Sequence, residues 1–249
     1  MAKVITLSGK GGVGKTSISA MIIRELRRDP SKRILAIDGD PAVGFSTALG
    51  VEVKRTLDQI RMDVVNSGKS GEKETKAELL ARLDFELAGA LAEDRGFAFL
   101  AIGRPEGKGC YCKINEFLKQ MIAELVPNFD YVVIDGEAGI EQINRRVMEK
   151  VTHLLLVSDA SKKGIQVAKT IHGVAQGCMA YEKVGLLFNR LRSAADIEHA
   201  DTGPIPILGY LPESEKLRNY DIRGDSLLGL PDIDVTRKFG LILREFLGS

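Results

Sequence analysis

Residues 8–17, Ser-Gly-Lys-Gly-Gly-Val-Gly-Lys-Thr-Ser, limit what this chain can fold into more than any other stretch. Gly9, Gly14, Lys15 and Thr16 satisfy the spacing of a phosphate-cradling loop. The flanks agree. Residues 3–7 read as a buried strand. Residues 17–28 carry Ile18, Met21, Ile22 and Leu26 near helical spacing. Strand, glycine-rich turn and helix together aim the backbone N–H groups of Gly11, Gly12, Val13, Gly14 and Ser17 at anionic oxygens. The helix N-terminus adds partial positive charge. Lys15 would reach the β- and γ-phosphates of a nucleoside triphosphate, and the Thr16 hydroxyl would ligate Mg²⁺. A second lysine, Lys10, directly follows Gly9. Such a cation is either a solvated side chain or one that reaches the phosphates of a neighbouring subunit, as an arginine finger does.

A loop of this kind needs a sheet behind it, and the chain supplies one. Apolar runs at 33–38, 96–102, 131–135, 153–158 and 183–188 read as further strands. Helical patterns fall at 77–91, 114–126, 164–181 and 235–247. Their alternation predicts an α/β fold with a mostly parallel sheet covered on both faces. In the last helix Val235, Phe239, Ile242, Leu243 and Phe246 share the core face. Residues 50–95 are expected to be an insertion within a single domain spanning 1–249, with 66–76 as a polar surface loop. The net charge of +1 gives no electrostatic case for nucleic acid or a membrane surface. The phosphate loop begins almost at the N-terminus, no apolar run reaches transmembrane length, and three cysteines make no disulfide scaffold. A reduced, cytoplasmic protein is expected.

Three strand ends carry chemistry. The strand at 33–38 runs into Asp38-Gly39-Asp40-Pro41, where ligands bind in open α/β sheets, although Asp, Gly and Pro also make an ordinary turn. The strand at 131–135 ends in Asp135, followed by Gly136-Glu137-Ala138-Gly139. Asp135 would hold Mg²⁺ through water, and Gly139 would let a backbone N–H approach the γ-phosphate. The strand at 183–188 ends in Asn189 and Arg190 on the same side.

Cys110 and Cys112 sit in Gly107-Lys108-Gly109-Cys110-Tyr111-Cys112-Lys113. Two cysteines at i and i+2 do not close a disulfide comfortably, and they cannot fill a four-coordinate metal site alone. Two copies across a two-fold axis supply four thiolates. The neighbouring lysines favour thiolate over thiol. A buried pair or a redox dithiol are the other readings. Cys178 is expected mid-helix in the core, and His153, His172 and His199 are too scattered to be ligands.

The loop with its extra Lys10 resembles the deviant Walker A ATPases, the group that includes the nitrogenase iron protein, the Min and Par positioning ATPases and the nickel-insertion ATPases. The stretches 103–107, 110–112, 135 and 137–141 resemble the CooC/AcsF-type nickel-insertion ATPases that mature carbon-monoxide dehydrogenase and acetyl-CoA synthase. The resemblance spans nearly the whole chain. It implies an ATP-dependent homodimer in which Lys10 crosses between subunits. Asp40 would position the attacking water, and Asp38 would lie near the Mg²⁺ shell. Asn189 would read the adenine edge, and Pro212 would back the purine. Cys110 and Cys112 of two subunits would bind one Ni²⁺ or Zn²⁺, and hydrolysis would help deliver nickel to a metalloenzyme. The sequence departs from the family at Ala42-Val43-Gly44-Phe45 and through 50–95. A positioning ATPase without metal is the alternative. An electron carrier like the iron protein fits less well, because its cluster ligands are well-separated single cysteines. The Min ATPases end in a membrane-binding tail, and the short stretch after Leu247 is not expected to form one.

Overall fold

Strand β1 (Lys3–Gly9) lies in the middle of an eight-stranded sheet, because its side chains are apolar enough to bury on both faces. The computed structural model describes residues 2–40, 44–69, 75–94, 96–103, 112–136 and 150–248. The remaining strands are β2 (Ile34–Asp38), β3 (Ala92–Asp94), β4 (Phe97–Ala101), β5 (Tyr131–Asp135), β6 (His153–Ser158), β7 (Lys183–Leu191) and β8 (Ile207–Pro212). Their order is β3-β4-β2-β5-β1-β6-β7-β8. Every pairing is parallel except β3 with β4.

The described helices are α1 (Lys15–Leu26), α2 (Gly44–Leu49), α3 (Leu57–Lys69), α4 (Lys76–Ala90), α5 (Cys112–Leu125), α6 (Lys162–Cys178), α7 (Glu215–Arg223) and α8 (Asp234–Leu247). Alternation along the strands divides the interior into two cores. Ile5, Leu7, Val133 and Leu155 meet Ile18, Ile22, Phe239 and Leu243 of α1 and α8. Val4, Leu35, Val132 and Leu156 meet Ile60, Leu83, Ile122 and Ile165 of α3 to α6. Each fully buried apolar side chain contributes about 1.5–3 kcal/mol. Packing on both faces therefore holds the strand ends in place.

The expected fold is the observed one, with local corrections. Helix α3 runs to Lys69, so the polar loop expected at 66–76 does not begin at Asn66. The loop side of that expectation falls partly on 70–74, outside the described residues. Helix α4 is set by a capping box, in which Thr75 accepts from the Glu78 N–H and Glu78 from the Thr75 N–H. Strands β3 and β8 and helices α2, α3 and α7 were not anticipated. Cys178 is the last residue of α6 and half-buried, not a mid-helix core residue. No described helix is long and apolar enough to cross a membrane.

Gly9 ends β1 opposite Val157 of β6. A Cβ there would lie 2.1 Å from the Val157 carbonyl oxygen. Gly9→Ala is therefore expected to cost about 1–3 kcal/mol through forced displacement of the loop. Denaturant unfolding checks this, and an unchanged midpoint would contradict the packing described.

Candidate nucleotide site

The carboxyl ends of β1, β2, β5, β6 and β7 converge on the phosphate loop. Gly12 and Gly14 take positive φ (79° and 93°), which lets the loop wrap before α1 begins. Gly14 is also the N-cap of α1, where a side chain would meet the Asn189 amide nitrogen at 2.6 Å. Within this cradle Lys15 Nζ donates to the carbonyls of Gly9 (3.1 Å) and Lys10 (3.3 Å). Thr16 Oγ1 donates to Asp135 Oδ2 at 2.7 Å. Ser19 Oγ donates to the other oxygen at 2.9 Å. The sequence reading missed Ser19. Its signal is a polar residue one turn after Thr16 among apolar neighbours, on the same side of α1.

Asp38 and Asp135 are both buried beside the loop. Asp38 accepts from the backbone N–H groups of Asp40 (3.1 Å) and Phe45 (3.0 Å), tying the end of β2 to the start of α2. Burial, then the nearby Asp135 charge, raise the Asp38 carboxyl to about 7. Burial raises Asp135 to about 6, against the lowering effects of Thr16, Ser19 and Lys15. An all-oxygen donor set of one hydroxyl and two carboxylates suits a hard divalent cation. Thr16 and Asp135 would hold Mg²⁺, and Asp38 would stand behind them.

These raised values have a sign. A carboxyl that holds its proton more tightly when folded stabilises the fold at low pH. That stability is lost as pH rises through the folded pKa. For nucleotide-free protein the loss falls between about pH 4 and 7. Asp38→Asn is expected to be more stable than wild type above pH 7 by on the order of 2 kcal/mol. Below pH 4 the difference should vanish. Thermal unfolding across pH, without nucleotide or Mg²⁺, tests it. A variant less stable than wild type at pH 8 would contradict it.

Lys10 Nζ pairs with Asp159 Oδ2 at 3.1 Å. Asp159, just beyond β6, also accepts from Ser161, so it is fixed before the lysine arrives. On the far side, Asn189 is buried and its amide donates to the Val13 carbonyl at 2.8 Å. Arg190 NH1 donates to the Gly12 carbonyl at 3.1 Å. Arg190 has φ of 61°, alone in the positive-φ region among described non-glycine residues. The β7–β8 register breaks there, and the break turns Arg190 over the loop. Beyond it opens a cleft of about 480 Å³ lined by Ser17, Asn189, Arg190, Pro212, Glu213 and Arg218. Asp40 is half-buried. Gly139 and Cys110 lie outside the described residues, as do 41–43. Cys112 is described only as the first residue of α5. Among the described residues no three His, Cys, Asp or Glu side chains converge as a metal site.

A model of the CobQ/CobB/MinD/ParA nucleotide binding domain matches residues 4–227. The chain belongs to this family. Among its relatives, an uncharacterised ATP-binding protein of Methanocaldococcus jannaschii is 34% identical, covering 92% of each chain. The carbon monoxide dehydrogenase accessory protein CooC of Rhodospirillum rubrum is 29% identical, covering 91% of this chain and 89% of that protein. The septum site-determining protein MinD of Thermotoga maritima is 28% identical, covering 86% and 76%. MinD of Pyrococcus horikoshii, solved with Mg-ADP, shares the fold with a TM-score of 0.69 over 98% of this chain and 96% of that one, at 22% identity.

Proposed function

We propose that this family member is a Mg²⁺-dependent ATPase that dimerises around ATP, carries Ni²⁺ or Zn²⁺ between Cys110 and Cys112 of two subunits, and assists nickel insertion into a carbon-monoxide dehydrogenase or acetyl-CoA synthase. One observation carries the metal part. The Cys-x-Cys segment lies between the end of β4 and the start of α5, and β4 is the sheet neighbour of β2, which leads into Asp38 and Asp40. Backbone bonds tie these strand ends together. Ile102 N–H donates to the Asp38 carbonyl, and Gly39 N–H to the Asp135 carbonyl, each at 2.9 Å. The segment that carries both cysteines and the residues that follow Asp38 thus start from neighbouring, hydrogen-bonded strand ends. The likeness to CooC supports this reading.

In the proposed cycle Lys15 binds the β- and γ-phosphates, and Asp40 positions the attacking water. Mg²⁺, when bound, supplies charge neutralisation at the phosphates. Lys10 must leave Asp159 to reach across to a second subunit. Both groups are about one-third exposed, and such pairs contribute only about 0–1 kcal/mol. Release is therefore a small cost beside a charge-assisted phosphate contact. Asn189 and Pro212 would take the adenine in the cleft beside Ser17.

Asp40→Ala is expected to bind ATP as wild type, hydrolyse it at least about 100-fold more slowly, and accumulate the ATP-bound dimer. Lys10→Ala should lose ATP-dependent dimerisation while the monomer still binds ATP. Sedimentation and phosphate release separate the two. Wild-type turnover in Asp40→Ala would move the water-positioning role elsewhere. The MinD relatives favour a second reading, a positioning ATPase without metal. That reading predicts the same Lys10 and Asp40 effects but no bound metal.

A further inference from the structure

A second cleft opens at the end of the sheet opposite the phosphate loop, among the N-terminal ends of β1, β2, β5 and β6. It holds about 460 Å³, in the range of small-molecule sites. Its apolar wall is Val4, Val126 and Val151, buried, with Phe129 half-buried beside them on the same face of the sheet. Its rim is cationic, carrying Lys32, Arg33 and Lys150, with Lys3 at the floor donating to the Leu247 carbonyl. The opposing carboxylate in the lining is Asp130.

This charge is only loosely paired. Elsewhere on the surface cations sit tightly on carboxylates, as in Lys169–Asp201 and Arg237–Asp234 at 2.9 Å and Arg223–Asp225 at 2.7 Å. At the cleft the nearest pairs are Lys32–Asp29 and Arg33–Asp130, both at 3.8 Å. No ion pair is formed by Lys150 among the described residues. The chain as a whole carries only +1, so this concentration is local. Cations over aromatic and aliphatic walls select a ligand with both features. A purely apolar ligand would bury nothing against the charges, and a bare inorganic anion would leave the walls wet.

We propose that this cleft is a second ligand site, independent of the nucleotide, for a small organic anion whose planar apolar body rests on Phe129 and the Val4, Val126 and Val151 walls and whose carboxylate or phosphate faces Arg33 and Lys150. The test uses the full chain with its phosphate loop filled by MgADP. Anilinonaphthalene sulfonate serves as the probe, since its fluorescence rises when it enters an apolar site. One saturable site per chain is expected. Arg33→Glu and Lys150→Glu should each weaken it roughly tenfold or more, the effect of one reversed charge contact. Both residues are exposed, so folding should survive. Arg237→Glu, a reversal on the exposed face of α8, should bind the probe as wild type. Phenyl phosphate and benzoate then compete in separate arms. Displacement by the first at lower concentration assigns the ligand a phosphate, and by the second a carboxylate. No saturable site, wild-type affinity in both cleft variants, or no displacement by either competitor would overturn the proposal.

Discussion

Lys15→Ala is expected to weaken ATP binding roughly 10²–10⁴-fold, the loss of two charge-assisted contacts at about 1.5–3 kcal/mol each. The position of the side chain supports so large an effect. Lys15 Nζ already lies inside the loop, against the Gly9 and Lys10 carbonyls, where phosphate oxygens would enter. Its charge also offsets that of Asp135, so the variant should hold a proton on Asp135 more tightly and lose affinity for Mg²⁺ as well. Folding should be unharmed, because the two carbonyls it leaves can take water at the mouth of the loop. Calorimetry with MgATP reads the effect. Wild-type affinity in this variant would remove the phosphate loop from the nucleotide site.

What the sequence made legible was local. The phosphate loop and its flanking strand and helix lie within 25 residues, and each signal reinforces the next. The central strands were visible because burial on both faces makes them continuously apolar. Strand β8 was not, since Pro206, Gly209 and Pro212 read as breakers. As the last strand in the sheet order it tolerates them, and Gly209 makes room for Ile242. Helix α3 was obscured by Asn66, Ser67 and Gly68 near its end, where packing of Ile60 and Val64 outweighs weak propensity. The site divided in the same way. Lys15, Thr16 and Asp135 meet as their motifs require. Asp159 and Ser19 were missed because their partners lie 149 and 116 residues away in the chain. Asn189 was assigned to the base, and in the nucleotide-free chain its amide nitrogen holds the Val13 carbonyl.

The cysteine pair carries the second large effect. One chain offers two thiolates at this loop, and a tetrahedral site needs four ligands. Cys110→Ala or Cys112→Ala should therefore remove two ligands from a dimer, one per subunit. Tight Ni²⁺ or Zn²⁺ binding should be lost, by about 100-fold or more in affinity. ATP binding to the monomer should survive, because the phosphate loop lies on β1 and α1 rather than after β4. In the proposed cycle metal and ATP would both favour the dimer, so each should raise the affinity of the other by the same factor. Hydrolysis would then loosen the metal site and release its cargo.

The most direct measurement is an anaerobic titration of Ni²⁺ into metal-free protein, with mass followed by light scattering. One metal ion per two chains is predicted, with the mass doubling as the site fills and both effects lost in the double cysteine variant. A tight one-to-one complex on a monomer, or undiminished affinity in that variant, would contradict the account.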